Sequence, residues 1–374
     1  MGNAKSERLL SLDAFRGITI AGMILVNNPG TWNYVYPALE HAKWNGITPT
    51  DLIFPFFIFI VGVATSFSLS KRKQRGDDKK KLALQILRRA AIIFLLGIFM
   101  AAFPDFNFAT VRIPGVLQRI AVVYLVTSLL YLKVSIKSLG VTSAVILLLY
   151  WAIMTLVPVP GVGYANLEPS TNLGAWLDRL VFGKHIWYYT KTWDPEGLLS
   201  TLPALSTAIF GIMTGEWLRK PELEKTTRTV WMFFWGNVGL VLGTVWDIWF
   251  PINKNLWTSS YVVFTAGMAL QFLGMCYWLI DVKGFTRWSK PFVVYGMNAI
   301  AVYFLSGIVE RALYIPKVTD QAGQLVDLRV YLYNVLFSSW LPGFNASLAW
   351  ALMYVIFWLG IMWILYTKKI FIKV

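Results

Sequence analysis

Residues 51–81, "DLIFPFFIFIVGVATSFSLSKRKQRGDDKKK", decide the fold. From Leu52 to Ser70 there is no charged residue, and seven of the eleven residues that follow are Lys or Arg. About 20 apolar residues are needed to cross the hydrocarbon core as a helix. A basic run against such a segment marks the side that stays in the cytoplasm. The stretch therefore predicts a membrane helix over Asp51–Leu69 that runs toward the cytoplasm.

The rest of the chain repeats this pattern. The composition is 57% hydrophobic and 14% charged, with mean hydropathy +0.57, more apolar than a soluble domain of this length. Nine further spans are predicted, at roughly Leu12–Asn28, Ile86–Phe103, Ile113–Leu132, Leu139–Val157 and Leu198–Leu218, then Val230–Phe250, Ser259–Ile280, Phe292–Leu313 and Asn345–Tyr366. Val330–Trp340 is apolar but too short to cross, and reads as an interfacial or re-entrant piece. With the N-terminus inside, 23 of the 34 Lys and Arg fall on inner segments, and ten on outer segments and the outer halves of neighbouring helices. Arg16, within the first span, completes the set. An odd number of spans would put the C-terminal lysines outside. The fold class is therefore an all-α polytopic membrane protein of about ten transmembrane helices, with both termini cytoplasmic and residues 1–374 as one transmembrane domain.

The same placement explains the net charge of +15 without nucleic acid. Eighteen Trp and 17 Tyr suit the aromatic belts at a membrane interface. A single cysteine, Cys276, allows no internal disulfide, and no cluster of metal ligands is present. The short polar lead Met1–Ser11 is not a cleavable signal. No Walker A loop, GxGxxG, HExxH or GxSxG motif occurs, which counts against an ATPase, a dinucleotide enzyme, a zincin and a serine hydrolase. Without a convincing internal repeat, an inverted-repeat transporter is not favoured.

Three outer segments are long enough to carry function, at about 29–50, 158–197 and 314–344. The first reads "LEHAKWNGITPTD" over residues 39–51 and holds His41, one of two histidines in the chain. A lone loop histidine is usually just solvated. Here Trp44, Asn45 and Gly46 indicate a structured turn, and "TPTD" supplies helix-capping groups up to Asp51. Few other outer residues can serve as a base near neutral pH. His185, in the second outer segment, is the weaker competitor.

Polar groups at membrane depth are costly and each asks for a reason. Arg16 and Asn27 lie eleven residues apart on the first helix, about 16 Å by helical rise, so they mark its opposite ends. Arg16 is equally read as snorkelling, and Asn27 as an ordinary C-terminal cap. Arg119 lies deep in the fourth span and should pair with an acid or line a cavity. Asp247 and Glu310 are the partners within reach of such a reading. Arg112 stands at the outer start of that span. Lys254 and Asn255, in "PINKNLW", can bind a polar substrate or merely cap two helices.

Taken together, these blocks resemble the transmembrane heparan-α-glucosaminide N-acetyltransferases and their bacterial relatives. The matching stretches are "LDAFRGITIAGMILVNNPG", "HAKWNGITPTDLIFPFFIFIVG", "VRIPGVLQRIAVVYLV" and "WDPEGLLSTLPAL", then "PINKNLWTSSYV", "DVKG", "GMNAIAVY" and "YTKKIFIKV". They run in order over nearly the whole chain. The resemblance implies transfer of an acetyl group from cytosolic acetyl-CoA to the amino group of a terminal glucosamine across the membrane. It implies His41 as the active-site histidine, Asn27 beside the acetyl group, Asp51 as an acid in the same block, and Arg16 at the cytosolic side. Arg112, Arg119 and Lys290 join Arg16 as candidate acetyl-CoA contacts. Trp44, Asn45, Lys254 and Asn255 are candidate contacts to the sugar. The resemblance also suggests a homodimer. The lysosomal members carry a long luminal region before this core, and this chain looks more like a bacterial inner-membrane member. Direct transfer with His41 as base is favoured over an acetyl-histidine intermediate. O-acetylation of a surface glycan and amino-sugar transport are the competing functions.

Overall fold

The computed structural model describes residues 9–320 and 322–372. Most of the polar N-terminal lead, and Lys373 of the terminal basic group, lie outside the described residues. Nine helices are long and apolar enough to cross a membrane among the described residues, and a bent pair that passes the same test when taken together as one span brings the number to ten. The crossings are α1 (Leu10–Asn27), α2 (Ile53–Gln74, entered by a 3-10 turn Pro49–Leu52), α3 (Lys79–Ala102), α4 (Val116–Lys133) and α5 (Ile136–Leu156). After a short surface helix α6 (Leu173–Phe182) come α7 (Leu198–Leu218), α8 (Lys225–Asp247), α9 (Ser259–Tyr277), the pair α10 (Lys290–Met297) and α11 (Ala299–Ala312), and finally α13 (Gly343–Thr367). Between α11 and α13 lie a two-stranded antiparallel hairpin, β1 (Lys317–Thr319) with β2 (Leu325–Asp327), and the six-residue helix α12 (Leu328–Tyr333). The expected non-crossing piece near Val330–Trp340 is thus α12 and the turn after it.

Ten crossings bring the first and last described residues to the same end of the bundle. Connections alternate between two ends. One end carries residues 28–48, 103–115, 157–197, 248–258 and 313–342, and is called here the histidine end. The other carries the short basic turns after α2, α4, α7, α9 and α13, and is called the basic end.

Inside a bilayer there is little hydrophobic drive between helices, so close van der Waals contact must hold them. Small residues provide it. A Cβ on Gly62 of α2 would lie 2.0 Å from the Ala208 carbonyl oxygen of α7, and one on Gly211 of α7 would lie 2.0 Å from that of Phe59. Gly17 of α1 meets the backbone of α10 in the same way. Phe15, Phe59, Ile20, Ile24, Trp257 and Tyr261 fill the centre, each under 2% exposed. Outer helices show apolar side chains to the surroundings, such as Leu95, Val141, Val230 and Ile356, and lipid is the solvent that such faces fit.

The sequence predicts one continuous helix over Phe292–Leu313. The structure breaks it at Asn298, with 82° between α10 and α11. The Asn298 side chain supplies the reason. Its Nδ2 donates to the carbonyl of Ile370 at 3.2 Å, and its Oδ1 accepts from the Ile372 amide at 2.8 Å. The segment after α13 therefore docks on the break.

Candidate active site at the histidine end

The turn that carries His41 is built by Asp51. One carboxylate oxygen, Oδ2, accepts from the backbone N–H groups of Ala42 and Thr48, each at 3.0 Å, and from the Thr48 hydroxyl at 3.1 Å. The other, Oδ1, lies 2.6 Å from His41 Nδ1. Asp51 is 1% exposed, while the imidazole is close to half exposed. Because Asp51 takes donors on both oxygens, the network assigns the proton to Nδ1 and leaves Nε2 with its lone pair. The Tyr261 hydroxyl of α9 donates to the Asp51 carbonyl at 2.6 Å and anchors the turn from below.

A second loop completes the site. The Gly46 amide donates to the Ile252 carbonyl at 2.7 Å, and Asn253 Nδ2 donates to Asn45 Oδ1 at 3.1 Å. Gly46 has φ +101°, which favours glycine. These bonds lock the 28–48 loop to the 248–258 loop and bring Lys254 Nζ to 3.3 Å from His41 Nε2. A nitrogen base and an amine thus face each other. Desolvation in this recess lowers the Lys254 pKa below the ordinary value, although Glu196 and Asp51 pull the other way.

Arg112, at the mouth of α4, is the hub of a third group. Its guanidinium bonds Asp194 through Nε at 2.8 Å and also through Nη2, and Nη2 reaches Glu196 at 2.5 Å. Burial raises the Glu196 pKa, but Arg112, Lys254 and Arg119 outweigh it and hold the carboxyl below its usual value. Asp178 of α6 caps α7, accepting from the Leu198 amide at 2.9 Å, and desolvation pushes its pKa up to about 6.

The remaining expectations divide. Arg119 is 2% exposed and pairs with neither Asp247 nor Glu310. Its Nη2 donates to the Gly197 carbonyl at 3.2 Å and to the Ser200 hydroxyl, and its guanidinium lies 5.0 Å from the Trp257 ring centroid. Asp247 instead accepts from the Ile252 amide, and Glu310 holds Arg329 at 3.0 Å. Asn27 ends α1, but the capping bond there belongs to Asn28, whose Nδ2 donates to the Ile24 carbonyl at 2.7 Å. Asn27 itself is exposed and lines a cavity of about 810 Å³ together with Gln118, Arg112, Tyr303 and Arg311. Trp44 donates to the Leu167 carbonyl at 2.9 Å and packs edge-on against Trp193, so it braces the loop. Asn255 lies beside Lys254 in a small crevice with Trp44. His185 bonds the Val111 carbonyl at 2.7 Å and pins a neighbouring loop.

Arg16 and Lys290 lie at the basic end. Arg16 reaches Asp13 at 3.3 Å and the Gly296 carbonyl at 3.2 Å, and Lys290 sits 5.3 Å over the Trp363 ring. The four cations expected to contact one donor are therefore split between opposite ends of the bundle. Asn253, Tyr261, Asp194 and Glu196 escaped the sequence reading as site residues. The block "WDPEG" was the only signal for the last two. No group of three or more His, Cys, Asp or Glu gathers as a metal site among the described residues.

Fold and site together define an integral membrane protein of about ten helices that holds an Asp-oriented histidine beside an amine at one end. Comparison with known proteins narrows this. The model of the heparan-alpha-glucosaminide N-acetyltransferase catalytic family matches residues 8–242, and the chain belongs to that family. Heparan-alpha-glucosaminide N-acetyltransferase of Mus musculus is 31% identical over 429 aligned positions, which cover 99% of this chain. The Homo sapiens protein of that name is 32% identical over 430 positions and 100% of the chain. The chain spans 61% of the length of each of these two relatives.

Proposed function

We propose that the protein transfers an acetyl group from acetyl-CoA to the amino group of a glucosamine-type sugar, with His41 as general base. The basic end faces the cytoplasm in this reading, as in a bacterial inner membrane, and the histidine end faces outward. The observation that carries the reading is the opposed pair of nitrogens, His41 Nε2 and Lys254 Nζ, 3.3 Å apart and oriented by Asp51. An acceptor amine that takes the lysine's place meets a lone pair at proton-transfer distance.

The chemistry balances as follows. The neutral amine nitrogen attacks the thioester carbonyl carbon, and a C–N bond forms. The nitrogen proton passes to Nε2 of His41. The C–S bond breaks, and the proton returns to the departing thiolate. Asp51 holds the imidazolium that forms in between and keeps its tautomer fixed. In this reading Asn27, which lines the cavity at the same end, donates to the thioester oxygen as negative charge develops there. Acetyl-CoA supplies the activated acetyl group. Lys and Arg at the basic end, Arg16 and Lys290 among them, suit the phosphates of its nucleotide, and α1 spans the distance to Asn27.

Reconstitution in liposomes tests this, with labelled acetyl-CoA on one side and glucosamine on the other. The expected result is N-acetylglucosamine on the acceptor side without net sugar uptake. Uptake of unmodified sugar without acetyl-CoA would end the proposal, and an O-acetyl product would replace its acceptor chemistry.

A further inference from the structure

His41 already faces an amine that belongs to the protein. Lys254 Nζ lies 3.3 Å from His41 Nε2. Lys254 is partly buried and the imidazole is close to half exposed, so a molecule from outside reaches the pair. The lysine is held in place through its backbone. Its neighbour Asn253 is fully buried, donates to Asn45 Oδ1 at 3.1 Å and accepts from the Leu256 amide at 2.9 Å. The Lys254 carbonyl itself accepts from the Trp257 amide at 3.1 Å. The turn cannot carry the amine away from His41 without breaking these bonds.

An amine that attacks a thioester must first lose its charge and then hand a proton to a base. Lys254 meets both conditions. Desolvation lowers its pKa by more than Glu196 and Asp51 raise it, and His41 Nε2 holds a lone pair at proton-transfer distance. Lys43, Lys184 and Lys191, on the loops around it, are exposed instead.

We infer that Lys254 is a self-acetylation site: when no acceptor fills the recess, His41 directs the acetyl group of acetyl-CoA onto Lys254 Nζ. The inference rests on the proposed acetyl transfer, because whatever brings the thioester carbonyl to an acceptor amine brings it to the amine already standing there. The neutral Nζ attacks the carbonyl carbon, and a C–N bond forms. One nitrogen proton passes to His41 Nε2, the C–S bond breaks, and the proton goes on to the departing thiolate. The product is an uncharged amide, which is not an activated acyl group and so is an end state rather than a step of turnover. It removes the cation from the recess and leaves His41 and Asp51 unmodified. Protein held with acetyl-CoA but without acceptor then loses affinity for the acceptor.

Peptide mass spectrometry of the purified full chain tests this after incubation with isotope-labelled acetyl-CoA and no sugar. Lys254 is expected to take label at least about tenfold faster than Lys43, Lys184 or Lys191, and His41→Ala should slow it by about 100-fold, as loss of a general base does. Glucosamine in the mixture should suppress the label. Preincubation with acetyl-CoA should raise the acceptor KM of the unmodified protein by about tenfold, the cost of one charged contact, and should not shift that of Lys254→Arg. Label at Lys254 no faster than at Lys43, or undiminished in His41→Ala, would overturn the inference. Formation of N-acetylglucosamine by the same preparation without label at Lys254 would overturn it and leave the proposed transfer standing. Label at Lys254 without any sugar product would instead support it and refute the proposed acceptor.

Discussion

The two ends of the bundle handle charge in opposite ways. At the histidine end, Asp51, Asp178, Asp194, Glu196, Arg119 and Arg329 are all buried, and most are locked into bonds between loops. At the basic end, Lys79, Lys80, Lys81, Lys283, Arg287 and Lys290 are exposed on short turns or in the first helical turn that follows them. A buried charge must find partners or cost several kcal/mol, so each one fixes the position of its neighbours. An exposed charge fixes nothing locally and acts through number and sign. One end of this molecule is built for geometry, and the other for orientation in the membrane.

Substitutions can break that contrast. The largest effect is expected at the dyad. His41→Ala should lower acetyl transfer by about 10³-fold, within the range for a general base, and leave the melting temperature near that of the unmodified protein. Asp51→Ala should lose both, since four donors lose their acceptor, with a drop in stability of about 3 kcal/mol by thermal unfolding. Near-normal turnover in His41→Ala would refute the site assignment.

An intermediate effect is expected at Lys254. Its pKa is depressed by desolvation, so its ammonium is lost at a lower pH than an ordinary lysine. Displaced from His41 by the acceptor amine, the ammonium is expected to donate to a sugar hydroxyl; as pH rises through that depressed value this charged donor is lost, and acceptor KM should rise. Lys254→Met should have an elevated KM, by about tenfold, with no such pH dependence and with kcat largely kept. A kcat defect with unchanged KM would instead place Lys254 in the chemical step.

The smallest effect on turnover is expected at the basic end. Neutralising Lys79, Lys80 and Lys81 together should change acetyl transfer less than about twofold in detergent, because exposed charges contribute little locally. The same change should weaken the uniform orientation of the protein in cells. Cysteine probes read that orientation with an impermeant thiol reagent. Cys276 is buried and adds little background. Tyr164→Cys should label from outside, and Lys80→Cys only after permeabilisation. The reverse pattern would invert the proposed direction of transfer.

Much of this was legible in the chain. Apolar runs and basic flanks are local signals, and they gave the number of crossings and the short α12 piece. The His41–Asp51 pairing was also within reach, because both residues belong to one turn and "TPTD" announces its caps. Lys254 against His41 was not, since 213 positions separate them and two loops must interlock first. Arg119 was read correctly as a buried cation needing company and given the wrong company, because sequence carries depth but not azimuth around a helix. The bend at Asn298 was hidden for the same reason. Its cause is a bond to residues 370 and 372, far along the chain.

Sequence alone determined that this protein lives in a membrane, how often it crosses, and which turn holds its histidine, because hydropathy and capping act over neighbouring residues. Only the tertiary structure decided what faces that histidine, which carboxylates balance the buried arginines, and where a cavity opens beside Asn27. Those depend on how helices rotate and approach, and close contacts at residues such as Gly62 and Gly211 set that approach.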